Sequence, residues 1–316
     1  MQIRLFLFIL FLFYSRILLS QEPHSEFKKW RIYDAHGHVT LYNGNAIDSL
    51  RKYGVYAVRD CGGNLNELLD LRKKGNEHIN KYPKIFICGP FLDGPKKTQR
   101  EGKTLFITNE NEAVKAVDSL YFLGVDFIKT HNGLSRENFF AVLHQAKKRN
   151  LKVVSHLPKG VTVWEAAEQG VSCVEHMAES VLASPIYAGY AKTPEEAAAW
   201  WLNSPKADSI IKLLAAKHLF ITPTLVAFQT LINNPENKPV KEILKKGLED
   251  LMKITLKLHK AGIRLLTGSD FSSVNNMNIH PGSSIYEEIN LLMAAGLTIN
   301  EVKRVAGINF EQWLTR

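Results

Sequence analysis

From residue 32 onward the chain alternates between two textures, short runs rich in Val, Ile and Phe and longer segments with apolar residues at helical spacing. Eight runs read as strands: Ile32–His38, Val55–Asp60, Ile85–Cys88, Phe127–His131, Lys152–His156, Cys173–His176, Leu219–Thr224 and Ile263–Asp270. Helical patterns separate them, among them Asn111–Leu123, Glu137–Arg149, Val163–Gln169, Ala207–Lys217 and Val240–Ala261. Gly54, Gly124, Gly170 and Gly262 stand at helix exits, where a left-handed C-terminal cap favours glycine. Eight strand–helix units predict an α/β fold, a closed parallel (β/α)8 TIM barrel with helices outside. The alternative is a doubly wound open sheet. It would use fewer strands and a glycine-rich first turn, and no GxGxxG follows Ile32–His38.

The 316 residues would suit two average domains, but one barrel takes about 250. No Pro/Ser-rich linker, constant-motif repeat or low-complexity tract interrupts residues 21–316, so one domain is expected there. Ala183–Pro205, with Ala197-Ala198-Ala199-Trp200-Trp201, exceeds a minimal connection and is expected to carry its own helix. That helix is either a packed surface element or a wall of a substrate pocket.

Residues 1–20 read differently. Met1-Gln2-Ile3-Arg4 leads into the apolar run Leu5–Tyr14, the pattern of a secretory signal. The run is too short to span a bilayer, which takes about 20 apolar residues. We expect cleavage after Ser20 and a secreted or periplasmic protein without stable membrane insertion; retention as a membrane anchor is the alternative. Cys61, Cys88 and Cys173 are odd in number and widely spaced, which argues against a disulfide framework or a zinc knuckle and for buried thiols.

Forty Lys+Arg against 31 Asp+Glu leave a net charge of +9. The basic residues are scattered, as at Lys28-Lys29, Lys73-Lys74 and Lys147-Lys148-Arg149, with no stripe and no aromatic interleaving. That pattern describes a solvated basic surface rather than a nucleic-acid interface.

The chemistry lies at the strand ends. In Asp34-Ala35-His36-Gly37-His38 the two histidines are two apart on a strand, so they project to the same side. The fourth strand carries Lys129, the fifth ends in His156, the sixth in His176 and the eighth in Asp270. Carboxyl ends of barrel strands are where active sites form. Nitrogen and carboxylate ligands of this mix suit Zn²⁺ or a similar divalent ion. Four imidazoles and Asp270 exceed what one catalytic zinc with an open position needs, so two divalent ions are expected. An ammonium aimed at two dications would be repelled. Lys129 therefore either points elsewhere as an ion-pair partner or carries an amine converted to an anion.

His36-Gly37-His38, Lys129, His156, His176 and Asp270 together resemble the metal-dependent amidohydrolase superfamily, in its imidazolonepropionase-like and prolidase-like branch. Gly54–Asp60 with Gly62-Gly63, Gly124–Lys129, Leu266–Asp270 and the segment His280-Pro281-Gly282 through Glu287-Glu288 to Thr298 are similar to the same family. The likeness spans roughly residues 32–312. It implies that His36, His38 and Asp270 hold the more buried metal, that His156 and His176 hold the more exposed one, and that Lys129, carboxylated by carbon dioxide, bridges them. It further implies hydrolysis of a C–N bond in a small amide-type substrate (a dipeptide, non-standard peptide or cyclic amide). A hydroxide between the metals attacks, and Asp270 shuttles the proton. The family's flanking β-sandwich is expected to be absent or vestigial, which raises the prospect of a homo-oligomer. Lactone or phosphotriester hydrolysis at the same centre, and a non-catalytic secreted binding protein, are the competing readings. His131, His280, Arg59, Tyr187 and Tyr190 are candidate substrate contacts. For His131 a satisfied structural histidine competes with that role, and for Arg59 a structural pair with Asp60. Glu175 is expected to point away from His176, either as a contact behind the ligands or between barrel and helix.

Overall fold

The computed structural model describes residues 27–95, 103–273 and 279–315. The chain divides into two units, Met1–Arg31 and Ile32–Arg316. The described part of the first holds a single 3-10 turn, Phe27–Lys29, and the expected signal segment lies outside the described residues. No helix among the described residues is long and apolar enough to cross a membrane.

The second unit is a mixed α/β fold with parallel sheets. Its strands are β1 (Ile32–Gly37), β2 (Val55–Asp60), β3 (Lys84–Ile87), β4 (Phe91–Asp93), β5 (Thr104–Phe106), β6 (Phe127–Thr130), β7 (Lys152–Ser155), β8 (Cys173–Glu175), β9 (Phe220–Thr222) and β10 (Arg264–Leu265). The longer helices are α1 (Ala46–Lys52), α2 (Leu65–Glu77), α3 (Glu110–Phe122), α4 (Arg136–Lys148), α5 (Val163–Glu168), α6 (Pro194–Asn203), α7 (Pro205–Ala216), α8 (Leu225–Asn233), α9 (Lys241–Lys260), α10 (Ser283–Ala294), α11 (Ile299–Lys303) and α12 (Asn309–Thr315). Polar side chains start many of them. Asn45, Asn64, Asn109 and Ser135 each accept a backbone N–H of the first turn, while Thr162 and Thr298 build capping boxes with Glu165 and Glu301.

One sheet runs β1-β2-β3 and the other β10-β9-β8-β7-β6-β4-β5, with every strand pair parallel. Backbone hydrogen bonds continue at both edges of the smaller sheet. Ala35 N–H donates to Thr267 O at 2.8 Å, Asp270 N–H to His36 O at 2.7 Å and His38 N–H to Phe271 O at 3.0 Å. On the other side Asp126 N–H donates to Ile87 O at 2.8 Å. β1 and β6 are buried along their whole length, as parallel strands covered on both faces are. That burial takes in their polar residues too, Asp34, His36 and Lys129.

Two features depart from the sequence reading. The third strand is split by Gly89-Pro90 into β3, which pairs with β2, and β4, which pairs with β5 and β6. Gly89 takes φ +68° and Pro90 has no N–H to give a ladder, so pairing breaks there. The eighth run keeps regular strand only at Arg264–Leu265, and its remainder is held to β1 by the bonds just named. Within Ala183–Pro205, α6 is a packed helix: Trp201 is fully buried and its indole N–H donates to Val181 O at 2.9 Å.

The amino ends of the strands carry the aromatic part of the core. Tyr33, Phe127 and Phe220 cluster there with Phe310 and Trp313 of α12. Tyr33 stacks on Phe310 at 4.8 Å and donates its hydroxyl to Glu311 at 2.7 Å. α12 therefore packs under the strands and covers their apolar side chains at this end. The three cysteines are free and buried.

Candidate metal centre

The carboxyl ends gather a different population. His36 Nε2 and His38 Nε2 each lie 3.3 Å from the same oxygen, Asp270 Oδ1. The rings of His38, His36, His176, His156 and His131 follow one another at 5.3, 4.7, 4.6 and 4.8 Å, a continuous arc of imidazoles. One ligand atom from each of His36, His176 and Asp270 lies within 4.8 Å of the others. Lys129 of β6 is buried, borders the same cavity, and its Nζ has no hydrogen-bond partner. The cavity measures about 480 Å³.

Outer contacts set the imidazole tautomers. His36 Nδ1 donates to Glu175 Oε2 at 2.5 Å, His38 Nδ1 to Gly62 O at 3.0 Å, and His176 Nδ1 meets Thr224 Oγ1 at 2.8 Å. With Nδ1 so engaged, each of the three presents Nε2 inward, the arrangement that orients metal-ligating histidines. His156 is held differently, with Nε2 3.4 Å from Asn132 Nδ2. His131 Nδ1 lies 3.2 Å from Asp93 Oδ2.

Backbone geometry explains how distant residues meet. Gly37 leaves no room for a side chain, because a Cβ there would collide with the Phe271 ring. Gly268 is equally confined, against Thr222 and His36. His176 and Asp270 adopt φ +65° and +61°, a region that non-glycine residues rarely occupy and that clusters at functional sites. The turn at His176 breaks strand alternation. Glu175 consequently faces the interior, which corrects the simple period-two expectation of its direction, and of its two expected roles it takes the one behind the ligands, on His36.

Glu175 is fully buried and takes a second charge-assisted contact, from Arg59 Nη2 at 2.7 Å; Cys173 Sγ and Thr222 Oγ1 also donate to it, both at 3.0 Å. Arg59 in turn donates Nε to Ala35 O at 2.6 Å and lies 4.6 Å above the Trp313 ring. It does not line the cavity. Its partner is Glu175 rather than Asp60, which instead accepts the backbone N–H groups of Val39 (2.6 Å) and Gly62 (3.0 Å). Asp34 accepts Ser269 N–H at 2.9 Å and its hydroxyl at 2.6 Å, tying β1 to the segment that bears Asp270. Sequence reasoning offered Glu175 as a contact behind the ligands but missed its pairing with Arg59 and the tie between Asp34 and Ser269. The available signal was a charge within each of two strands, Arg59 and Glu175, since buried charges need partners.

Electrostatics follow from burial and neighbours. Burial, with Lys129 nearby, holds His36 well below the usual imidazole range, and burial does the same for His176. His38 is buried too, but the hydrogen bond and charge of Asp270 outweigh that and raise it. Asp270 is lowered: burial opposes ionisation, and His36 and His38 overcome it. Burial pushes Asp34 and Asp60 up to about 6.

Other candidates lie outside the cavity. His280 is exposed, with Tyr42 Oη 3.2 Å from its Nδ1. Tyr190 is stacked at 5.4 Å on Trp200 with Lys206 over its ring, and Tyr187 does not line the cavity. His131 does line it.

No family model and no curated protein matches the chain. Solved structures do. Bottromycin amidohydrolase aligns with a TM-score of 0.66 at 20% identity, over 90% of this chain and 67% of that one. A Xaa-Pro dipeptidase with bound methionine in its active site aligns at 0.65 and 16%, over 90% and 75%. A. niger ochratoxinase aligns at 0.66 and 16%, over 90% and 71%. At these identities the likeness is one of fold, and that fold is the one seen in amidohydrolase structures.

Proposed function

We propose that this chain is a metal-dependent hydrolase of C–N bonds in small amide-type substrates, built on one closed (β/α)8 barrel. The observation that carries the reading is the convergence of four imidazoles, one carboxylate and an unpartnered buried amine on one cavity. Closure is supported by the backbone hydrogen bonds at both edges of the smaller sheet.

The donor set fits divalent ions. His36, His38 and Asp270 would hold one, and His156 and His176 a second. An uncompensated ammonium at Lys129 would be costly in that setting. Reaction of its amine with carbon dioxide, releasing a proton, turns it into an anionic oxygen donor between the two sets. The ions, Zn²⁺ in our reading, supply Lewis acidity toward a carbonyl and a water activated at neutral pH. The chain's own part is positional. Asp270 keeps Oδ1 toward the two imidazoles, leaving Oδ2 to take a proton and return it to the departing nitrogen. Glu175 holds His36 in the tautomer whose Nε2 keeps its lone pair free, and Thr224 orients the His176 ring. Export is inferred from the charged and apolar start of the chain, and self-association remains part of the proposal.

The test combines metal analysis with a hydrolysis screen over dipeptides, N-acyl amino acids, cyclic amides and lactones. Close to two ions per chain, with activity lost on chelation, is the expected result. Lys129→Ala should be inactive and partly restored by small carboxylic acids; undiminished activity in that variant would remove the lysine from the scheme.

A further inference from the structure

One buried acid stands outside the catalytic scheme. Glu288 of α10 is fully buried, and its Oε2 accepts the Val226 N–H at 2.8 Å. Burial lifts the carboxyl to about 8, while the backbone N–H groups of Val226, Leu225 and Thr224 hold it back from rising further. These three donors form the entry to α8, and Thr224 and Leu225 line the cavity.

That entry is built unlike the others. Thr224 is the N-cap of α8, the place where a threonine oxygen ordinarily accepts a first-turn N–H. Thr162, Thr193 and Thr298 do so, each for its own helix. Thr224 makes no such bond. It stands at φ +49°, a costly conformation for a β-branched residue, and its Oγ1 lies 2.8 Å from His176 Nδ1. One hydroxyl has two possible tasks, capping α8 or steadying the imidazole. Glu288 reaches in from another helix and performs the first, since Val226 is the second residue of α8.

His176 needs such an outside hold. It stands at φ +65° where β8 ends and a π-helix, Met177–Leu182, begins, so neither a regular strand nor an α-helix sets its ring. Met177, Ala178 and Glu179 of that π-helix line the cavity beside it. The His176 N–H donates to Thr222 O at 3.0 Å and the Met177 N–H to Pro223 O at 3.1 Å, which ties this turn to the segment carrying Thr224. We propose that Glu288 is a positioning residue for His176: by capping α8 in place of Thr224, it releases that hydroxyl to orient the imidazole. The consequence for the second ion rests on the hydrolase reading above, whereas the consequence for the ring holds in the metal-free chain.

Nitrogen NMR of the metal-free full chain reads the ring directly. In Glu288→Ala the Val226 N–H loses its acceptor and the Thr224 hydroxyl should turn back to cap α8, so His176 Nδ1 should lose its hydrogen-bonded shift. Glu288→Gln keeps an oxygen acceptor and should keep the wild-type spectrum, a rescue that bulk alone would not give. In zinc titrations Glu288→Ala should weaken the second ion by about tenfold, the lower end of what an outer contact is worth, and leave the first unchanged. In a Thr224→Val background Glu288→Ala should cost no further affinity for the second ion, because the path to His176 runs through that hydroxyl. An unmoved Nδ1 resonance in Glu288→Ala, or an equal loss of affinity in the Thr224→Val background, overturns the proposal. Should Glu288→Ala fail to fold, Glu288→Met, which fills similar space without a strong acceptor, carries the same measurements. A chain that shows the expected Nδ1 response yet cleaves no amide would break the hydrolase reading and leave this one standing.

Discussion

The two ends of the same strands have been given opposite tasks. At the amino ends Tyr33, Phe127 and Phe220 close against Phe310 and Trp313 in a dry aromatic cluster. At the carboxyl ends His36, His38, Lys129, His156, His176 and Asp270 crowd into a cavity, two of them in the left-handed region and one without a hydrogen-bond partner. Stability and chemistry are thus separated by about the length of one strand. Arg59 and Glu175 sit between, fully buried, touching Trp313 on one side and His36 on the other.

Substitutions at each end should therefore fail in different ways. The largest effect is expected from Asp270→Asn, which should cut amide hydrolysis by about 10²–10⁴-fold, the usual worth of a positioned proton carrier. Because Asn tolerates positive φ, the unfolding midpoint should barely move; a large drop in midpoint would erase the distinction between the ends. Next comes Trp313→Ala. Truncating a buried tryptophan costs about 3–5 kcal/mol, read by denaturant unfolding, with metal content of the folded fraction unchanged. Loss of metal from that folded fraction would show the ends to be coupled. The smallest effect belongs to the middle: Glu175→Gln keeps an acceptor but removes the charge behind His36, and should weaken metal affinity about 10–100-fold. Unchanged affinity in a competition titration would reduce Glu175 to a purely structural partner of Arg59.

Legibility from sequence follows the same divide. β1, β2, β6, β7 and β8 are readable to within a residue or so, because each is built on buried Val, Ile, Phe or Cys side chains bounded by turn signals. β4 and β5 are not, since Gly89-Pro90 and the brief Thr104–Phe106 carry the signals of a connection rather than of a ladder. The cavity histidines announce themselves through strand parity and position. The direction of Glu175 and the place of Glu179 escape, for one reason: parity fails at His176, where φ turns positive, and the π-helix that follows obeys neither a period of 2 nor of 3.6.

The bond between Tyr33 and Glu311 spans 278 positions of chain. A ribosome delivers those partners far apart in time, so the aromatic end of the strands stays wet until α12 has been made. Long-range closure of this kind slows folding and leaves a sticky nascent intermediate. Whatever escorts this polypeptide must keep it from its neighbours until α12 arrives to seal it.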